Sequence, residues 1–179
     1  MRVVQFTIPV ARENSVIVQE DIMPHFYNHL HRHNETQITW IVKGEGTLIA
    51  GNYMQPFKSG DIYVLGANQP HIFKSDSIKR NPQKIIVLTG LTFFFNPDGF
   101  FQPILNLPET KTIKKFVEGT SYGLQAPASK AKKISTEMFA VKNSKQGFRF
   151  ASFMRLLQTL ADIKDWKMLA SISAENSFS

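Results

Sequence analysis

His31-Arg32-His33-Asn34-Glu35-Thr36-Gln37 opens the stretch that decides the fold, and that stretch runs on to His71. Successive side chains of a β-strand point to opposite faces, so His31 and His33, with one residue between them, project to the same side of a sheet. Gln37, Gly44 and Gly60 punctuate short runs rich in β-branched and aromatic residues, the pattern of short antiparallel strands. Further on, Gly60-Asp61 reads as a turn and Ile62 to Leu65 as a buried strand. Gly66 to Pro70 then forms a loop that delivers His71 to the start of the next strand.

Upstream, Val3 to Ile8 and Ser15 to Gln19 read as strands around a polar turn at Arg12-Glu13-Asn14, and Pro24 to Asn28 leads into the histidine pair. Downstream, alternation from Gln37 to Lys43 places Gln37, Thr39 and Ile41 on one face and Ile38, Trp40 and Val42 on the other. Gly51-Asn52 is a hairpin-type turn between Thr47 to Ala50 and Tyr53 to Phe57. The segment His71 to Lys74 and the apolar run Lys84 to Phe95 close the β region.

After Asn96-Pro97-Asp98-Gly99 the apolar period changes from 2 to about 3.6. Ile113, Phe116, Val117 and Thr120 share a helix face that Gly123 ends, and a second helix from Ser129 to Val141 buries Ala131, Ile134, Met138 and Val141. A third lies between Gln146 and Ile163, with Phe150, Phe153, Met154, Leu157, Leu160 and Ala161 at helical spacing. Phe148 and Leu156 widen that stripe beyond what packing on one barrel needs. It is therefore expected to serve self-association, with Phe150, Phe153, Met154, Leu157 and Leu160 as the dimerisation residues. The competing reading buries the stripe wholly on the chain's own barrel.

The 179 residues suit one compact unit, and 42% hydrophobic residues fit a globular chain. There is no cysteine, which excludes disulfide and thiol chemistry. Neither a signal-peptide core nor an apolar run near 18 residues occurs, so a cytoplasmic, non-membrane protein is expected. Of the net charge of +7, residues 108–179 carry +6, with 12 Lys+Arg against 6 Asp+Glu. Lys130, Lys132, Lys133, Lys142 and Lys145 are scattered over helix positions read as solvent-facing, and nothing has the pattern of a groove-reading helix.

The spacing of His31, His33, Gln37 and Gly44, then of Gly60 and His71, resembles the two motifs of the cupin superfamily, small jelly-roll β-barrels. The departures are specific: Gln37 replaces the motif's carboxylate, His25 its opening Gly, Gly66 and Asn68 its Pro and Gly, and Ser75 its terminal Asn. The phrases HLHRHNETQITWIVKGEGT, GNYMQPFKSGDIYVLGANQPHIFKSD and FASFMRLLQTLADIKDWKMLAS are similar to the sensor half of AraC-type transcriptional regulators, over about Val16 to Ser171. The resemblance implies a mainly β chain, a cupin-like jelly-roll barrel followed by about three helices. It would comprise an effector-binding barrel at 1–107, a helical dimerisation region at 108–170 and a flexible tail at 171–179. It also implies a homodimer, a small-molecule effector such as a sugar, and DNA binding only through a helix-turn-helix half that this chain lacks.

Effector contacts are expected from His31, His33, Gln37, Trp40, His71 and Phe73. Three imidazoles and an amide oxygen, at His31, His33, His71 and Gln37, could hold a divalent zinc, nickel, iron or manganese ion, more weakly than a site with a carboxylate. Alternatively the histidines are polar walls hydrogen-bonded to an effector, to water or to one another. Glu35 and Glu45 are expected to aim away from the histidines, and Tyr53 and Tyr63 to pack. His25 and His29 are read as surface or strand-edge residues. The expectation is therefore a sensor without catalysis, the competing class being a metal-dependent cupin oxygenase or isomerase.

Overall fold

The computed structural model describes residues 2–9, 12–23, 29–75 and 88–169. Among the described residues eleven strands form two sheets. One has the order β1 (Val4–Gln5), β3 (His31–Arg32), β8 (His71–Ser75), β5 (Glu45–Ala50), β6 (Tyr53–Lys58). The other has the order β11 (Lys167–Met168), β10 (Leu124–Gln125), β7 (Ile62–Leu65), β4 (Thr36–Lys43), β9 (Leu88–Phe95), β2 (Ile17–Met23). All pairings are antiparallel except β1 with β3, where Val4 lies beside His31.

Period-2 alternation is resolved here by two different cores. Ile38, Val64 and Phe93 stand opposite one another on β4, β7 and β9, and they face a cluster completed by helices. The intervening residues face the other sheet: Ile41, Tyr63 and Leu65 meet Leu48, Phe57 and Phe73 inside the barrel. The larger sheet is thus covered on both sides, which accounts for the near-continuous apolar run of β9, where seven of the eight residues are buried.

The helices are α1 (Gln102–Leu105), α2 (Lys111–Glu118), α3 (Ala128–Asn143) and α4 (Gln146–Asp162). The three longer ones match the expected elements; α1 is a single added turn. Gly123, at φ 72°, ends the short 3₁₀ turn that follows α2. Arg149 caps α3, its guanidinium donating to the carbonyls of Val141 at 3.3 Å, Lys142 at 3.0 Å and Ser144 at 3.0 Å. Lys142 pairs with Glu20 on β2 at 2.6 Å, tying helix to sheet edge.

One expectation needs correction. Phe153, Leu157 and Leu160 are 0% exposed, locked with Phe93, Phe95 and Phe101 in the chain's own core, while Phe150 and Met154 pack half-buried against it. The α4 stripe is therefore spent on the barrel; it looked too wide because a sheet with a covered outer face offers more apolar area than a barrel alone. On the two long helices the exposed aromatics are instead Phe148 at 82% and Phe139 at 53%, with Phe100 at 54% exposed before α1. Beyond residue 107, β10 and β11 join the six-stranded sheet, and Leu169 is buried in the barrel interior. The stretches Pro24 to Asn28 and 84–87, and the tail at 171–179, lie outside the described residues.

Candidate functional site

His31 and His33 emerge from the end of β3, and β8 lies antiparallel to it with His71 directly opposite His31. Strand parity aims all three rings at one volume: the centroids of His31 and His71 lie 4.4 Å apart, those of His33 and His71 5.1 Å, and those of His31 and His33 5.9 Å. His33 and His71 are each 1% exposed and Gln37 is 7%, so the sequence-based set converges inside the barrel. Candidate ligand nitrogens of His31, His33 and His71 all lie within 4.8 Å of one another. Phe94 closes one side, edge-on to His33 at 5.3 Å, and Phe6 of the N-terminal segment stands edge-on to His31 at 5.8 Å.

Each ring is oriented by a backbone carbonyl. His31 Nδ1 donates to His29 O at 2.7 Å, His33 Nδ1 to Glu35 O at 2.9 Å and His71 Nδ1 to Gln69 O at 2.8 Å. A carbonyl only accepts, so the proton of each neutral ring sits on Nδ1 and Nε2 carries the lone pair. Burial holds the rings neutral: it lowers the pKa of His31 and of His33 and drives that of fully enclosed His71 well below the ordinary 6.5, with the neighbouring imidazoles adding to the effect on His71.

Gln37 Oε1 lies 3.0 Å from His33 Nε2 and 3.1 Å from His71 Nε2, while its amide nitrogen donates to Thr39 Oγ1 at 2.8 Å. Three lone-pair atoms then face one another, and neutral Nδ1–H imidazoles have no proton to place between them. The amide resolves this in one of two ways. Oxygen inward, the site calls for a hydrogen-bond donor or a cation; bonds to a cation of about 2.0–2.1 Å set neighbouring ligand atoms roughly 3.0–3.4 Å apart, close to the Gln37 spacings. Turned by half a revolution, the NH₂ donates to both Nε2 atoms, Thr39 donates to the amide oxygen, and Thr92 Oγ1, 3.0 Å from Thr39, completes a network needing no ion. The residues present thus fit a divalent metal: His31, His33 and His71 would hold it with Gln37, and it would supply Lewis acidity.

Not every expected contact is in this cluster. Trp40 sits on the opposite face of β4 and packs against the helical core, so it does not reach the histidines. Phe73 shares the inner face with His71 but packs deeper, against Phe57 at 5.5 Å and Tyr63 at 5.8 Å. His29 is exposed, as expected, and His25 lies outside the described residues. Glu35 departs from expectation: its carboxylate Oε2 is 3.7 Å from His33 Nδ1 and 9% exposed. The chain bends at Asn34-Glu35 between β3 and β4, so alternation breaks and Glu35 folds back under His33. Thr39 and Thr92 are two further polar inner-face residues, and same-parity counting from Gln37 finds the first.

A pH effect follows. A histidine whose folded pKa is depressed binds fewer protons than in the unfolded chain, so stability is complete above 6.5 and falls as pH drops below it toward the folded value. The melting temperature is expected to fall by several degrees between pH 7.5 and 5, and His71→Gln to flatten that slope.

Residues 18–89 match the cupin domain family. No curated protein sequence matches the chain significantly. Among solved structures, an apo variant of ToxT from Vibrio cholerae aligns with a TM-score of 0.50 at 9% identity, over 82% of this chain and 54% of that one. ToxT bound to unsaturated fatty acid gives 0.44 at 14%, over 87% and 57%. The AraC-like transcriptional activator CuxR gives 0.41 at 9%, over 72% and 40%. HEPD from Streptomyces albus, with 2-hydroxyethylphosphonate and Fe(II) bound, gives 0.34 at 12%, over 82% and 39%. The chain spans 61% of the length of ToxT in a further ligand-bound form and about half or less of the others. No helix among the described residues is long and apolar enough to cross a membrane. The match over 18–89 is to the cupin family, and the paired sheets with their inward histidines give the chain a cupin fold.

Proposed function

We propose that the chain is the ligand-sensing part of a cytoplasmic AraC-type transcription regulator, taking a small molecule into the barrel and controlling an attached helix-turn-helix half. The observation that carries this reading is the convergence of half-buried His31 with buried His33, Gln37 and His71, three neutral acceptor rings and an amide that can present either end. Thr39 and Thr92 extend that polar lining. Among the described residues no Lys or Arg is buried, so a neutral, hydroxylated molecule such as a sugar fits this lining better than a carboxylate, which would find no fixed cation there.

A route outward supports the reading. His71 donates to the backbone of Gln69, the side chains of Gln69 and of Leu169 each stand beside Gly123, and the Leu169 amide donates to Gly123 O at 3.0 Å. Leu169 is fully buried in the barrel core. A ligand that moves His71 biases how the segment from Lys167 to Leu169 docks, to the extent that it binds the two arrangements differently. The N-terminal strand β1, with Phe6 against His31, is placed to close over the same end. Self-association is part of this proposal, through exposed Phe139 and Phe148 rather than the buried α4 stripe.

The second reading, a metal-dependent cupin enzyme, is favoured by the three histidine nitrogens within 4.8 Å. A thermal-shift panel of sugars, fatty acids and divalent metals tests both. Binding at about 100 Kd stabilises by roughly 2.7 kcal/mol, worth about 2–4 °C per kcal/mol at this size. A sugar is expected to raise the melting temperature of the wild type and not of His33→Ala. A shift that survives His33→Ala, or a panel without any shift, overturns the sensing site; a metal shift accompanied by turnover selects the enzyme.

A further inference from the structure

The metal-capable form of the site lacks a negative charge where Gln37 stands, and the structure puts a carboxylate on the other side of the same ring. His33 is held between two groups: Gln37 Oε1 faces its Nε2 at 3.0 Å, and Glu35 Oε2 lies 3.7 Å from its Nδ1. Among the described residues His33 is the basic group within ion-pair reach of Glu35, whose side chain is 9% exposed. A buried carboxylate beside a neutral imidazole is poorly compensated; beside an imidazole whose Nε2 binds a cation, it is compensated through the ring.

We infer that Glu35 is a positioning residue for the histidine centre, supplying from behind His33 the negative charge that Gln37 does not supply in front of it. The effect is reciprocal: a cation on Nε2 stabilises the Glu35 carboxylate, and the carboxylate raises the affinity of Nε2 for the cation by the same factor. The Nδ1–H bond to the Glu35 carbonyl and the nearby carboxylate come from one residue, so a single bend in the chain both aims the ring and charges it. This inference rests on the metal reading of the site.

The test uses Co(II) as the probe, followed by titration calorimetry and by the visible absorption of the bound ion. Removal of such an outer carboxylate commonly weakens metal binding about 10- to 100-fold, and that loss is expected for Glu35→Gln. Glu35→Asp, which keeps the charge, is expected to stay within a few-fold of wild type. The double variant Glu35→Gln/Gln37→Glu, which moves the carboxylate to the front, is expected to regain wild-type affinity or exceed it. A purely structural role predicts a different pattern: the metal-free melting temperature would fall, and Glu35→Asp would weaken binding as much as Glu35→Gln. Wild-type affinity in Glu35→Gln overturns the role of Glu35 and leaves the metal reading standing. Absence of Co(II) binding in both wild type and Gln37→Glu overturns the metal reading and this inference with it.

Discussion

Gly46→Ala is expected to cost more than about 3 kcal/mol and to remove the folded chain from the soluble fraction at 37 °C, an overpacking penalty at the upper end of its usual range. A methyl group at Gly46 would stand 2.0 Å from the carbonyl oxygen of Lys74 and 2.7 Å from Phe57 Cζ. The obstacle is main chain. Gly46 pairs with Ser75 in the β5–β8 ladder, so β8 can yield only by giving up its register, and β8 carries His71 and Phe73. Gly51→Ala is the comparison: its methyl group meets nothing within 4 Å, and the penalty is the φ of 59° alone, about 1 kcal/mol. Urea unfolding of the two variants separates these costs; equal midpoints would show that the β5–β8 approach is not tight.

Phe153→Ala is the second large effect, about 3–5 kcal/mol. Phe153 is 0% exposed and meets three rings edge-on, Phe95 at 5.4 Å, Phe101 at 5.6 Å and Phe93 at 6.1 Å. It joins α4 to the outer face of the six-stranded sheet, so truncation leaves a cavity at the seam between helices and barrel. The denaturation midpoint should fall with little change in its slope and no dependence on protein concentration, since the lost contacts lie within one chain. A midpoint that rises with concentration would instead return Phe153 to a subunit interface. By contrast Phe148→Ser, at 82% exposure, should leave the midpoint within about 0.5 kcal/mol while reporting on association.

Why some of this was legible and some not comes down to the range over which each rule holds. The i, i+2 spacing of His31 and His33 sits in extended chain, where period 2 is strict, and the Gly60 to His71 interval is a turn, a four-residue strand and a loop whose lengths fix where His71 falls. Those residues met as expected. Glu35 was misplaced because alternation was carried through Asn34-Glu35, where the backbone bends and parity no longer applies. Trp40, of opposite parity to Gln37, stands on the other face of β4, so the ligand contact expected of it does not follow from alternation. The α4 stripe was read correctly as apolar and incorrectly as surplus, since the sequence of a helix does not state how large a face it must cover. The return of Leu169 to the barrel core had no local signal: a two-residue strand at Lys167–Met168 is set by its partner β10 rather than by its own propensity.

The claim on which the site depends is that three histidine rings are held neutral with their protons on Nδ1, leaving Nε2 to receive a donor or a cation. Nitrogen-15 NMR of the imidazoles at pH 7 reads that property directly, through the shifts and two-bond couplings of each ring. His31, His33 and His71 are expected as neutral Nδ1–H tautomers; an Nε2–H tautomer or a doubly protonated ring at His33 or His71 would contradict the account.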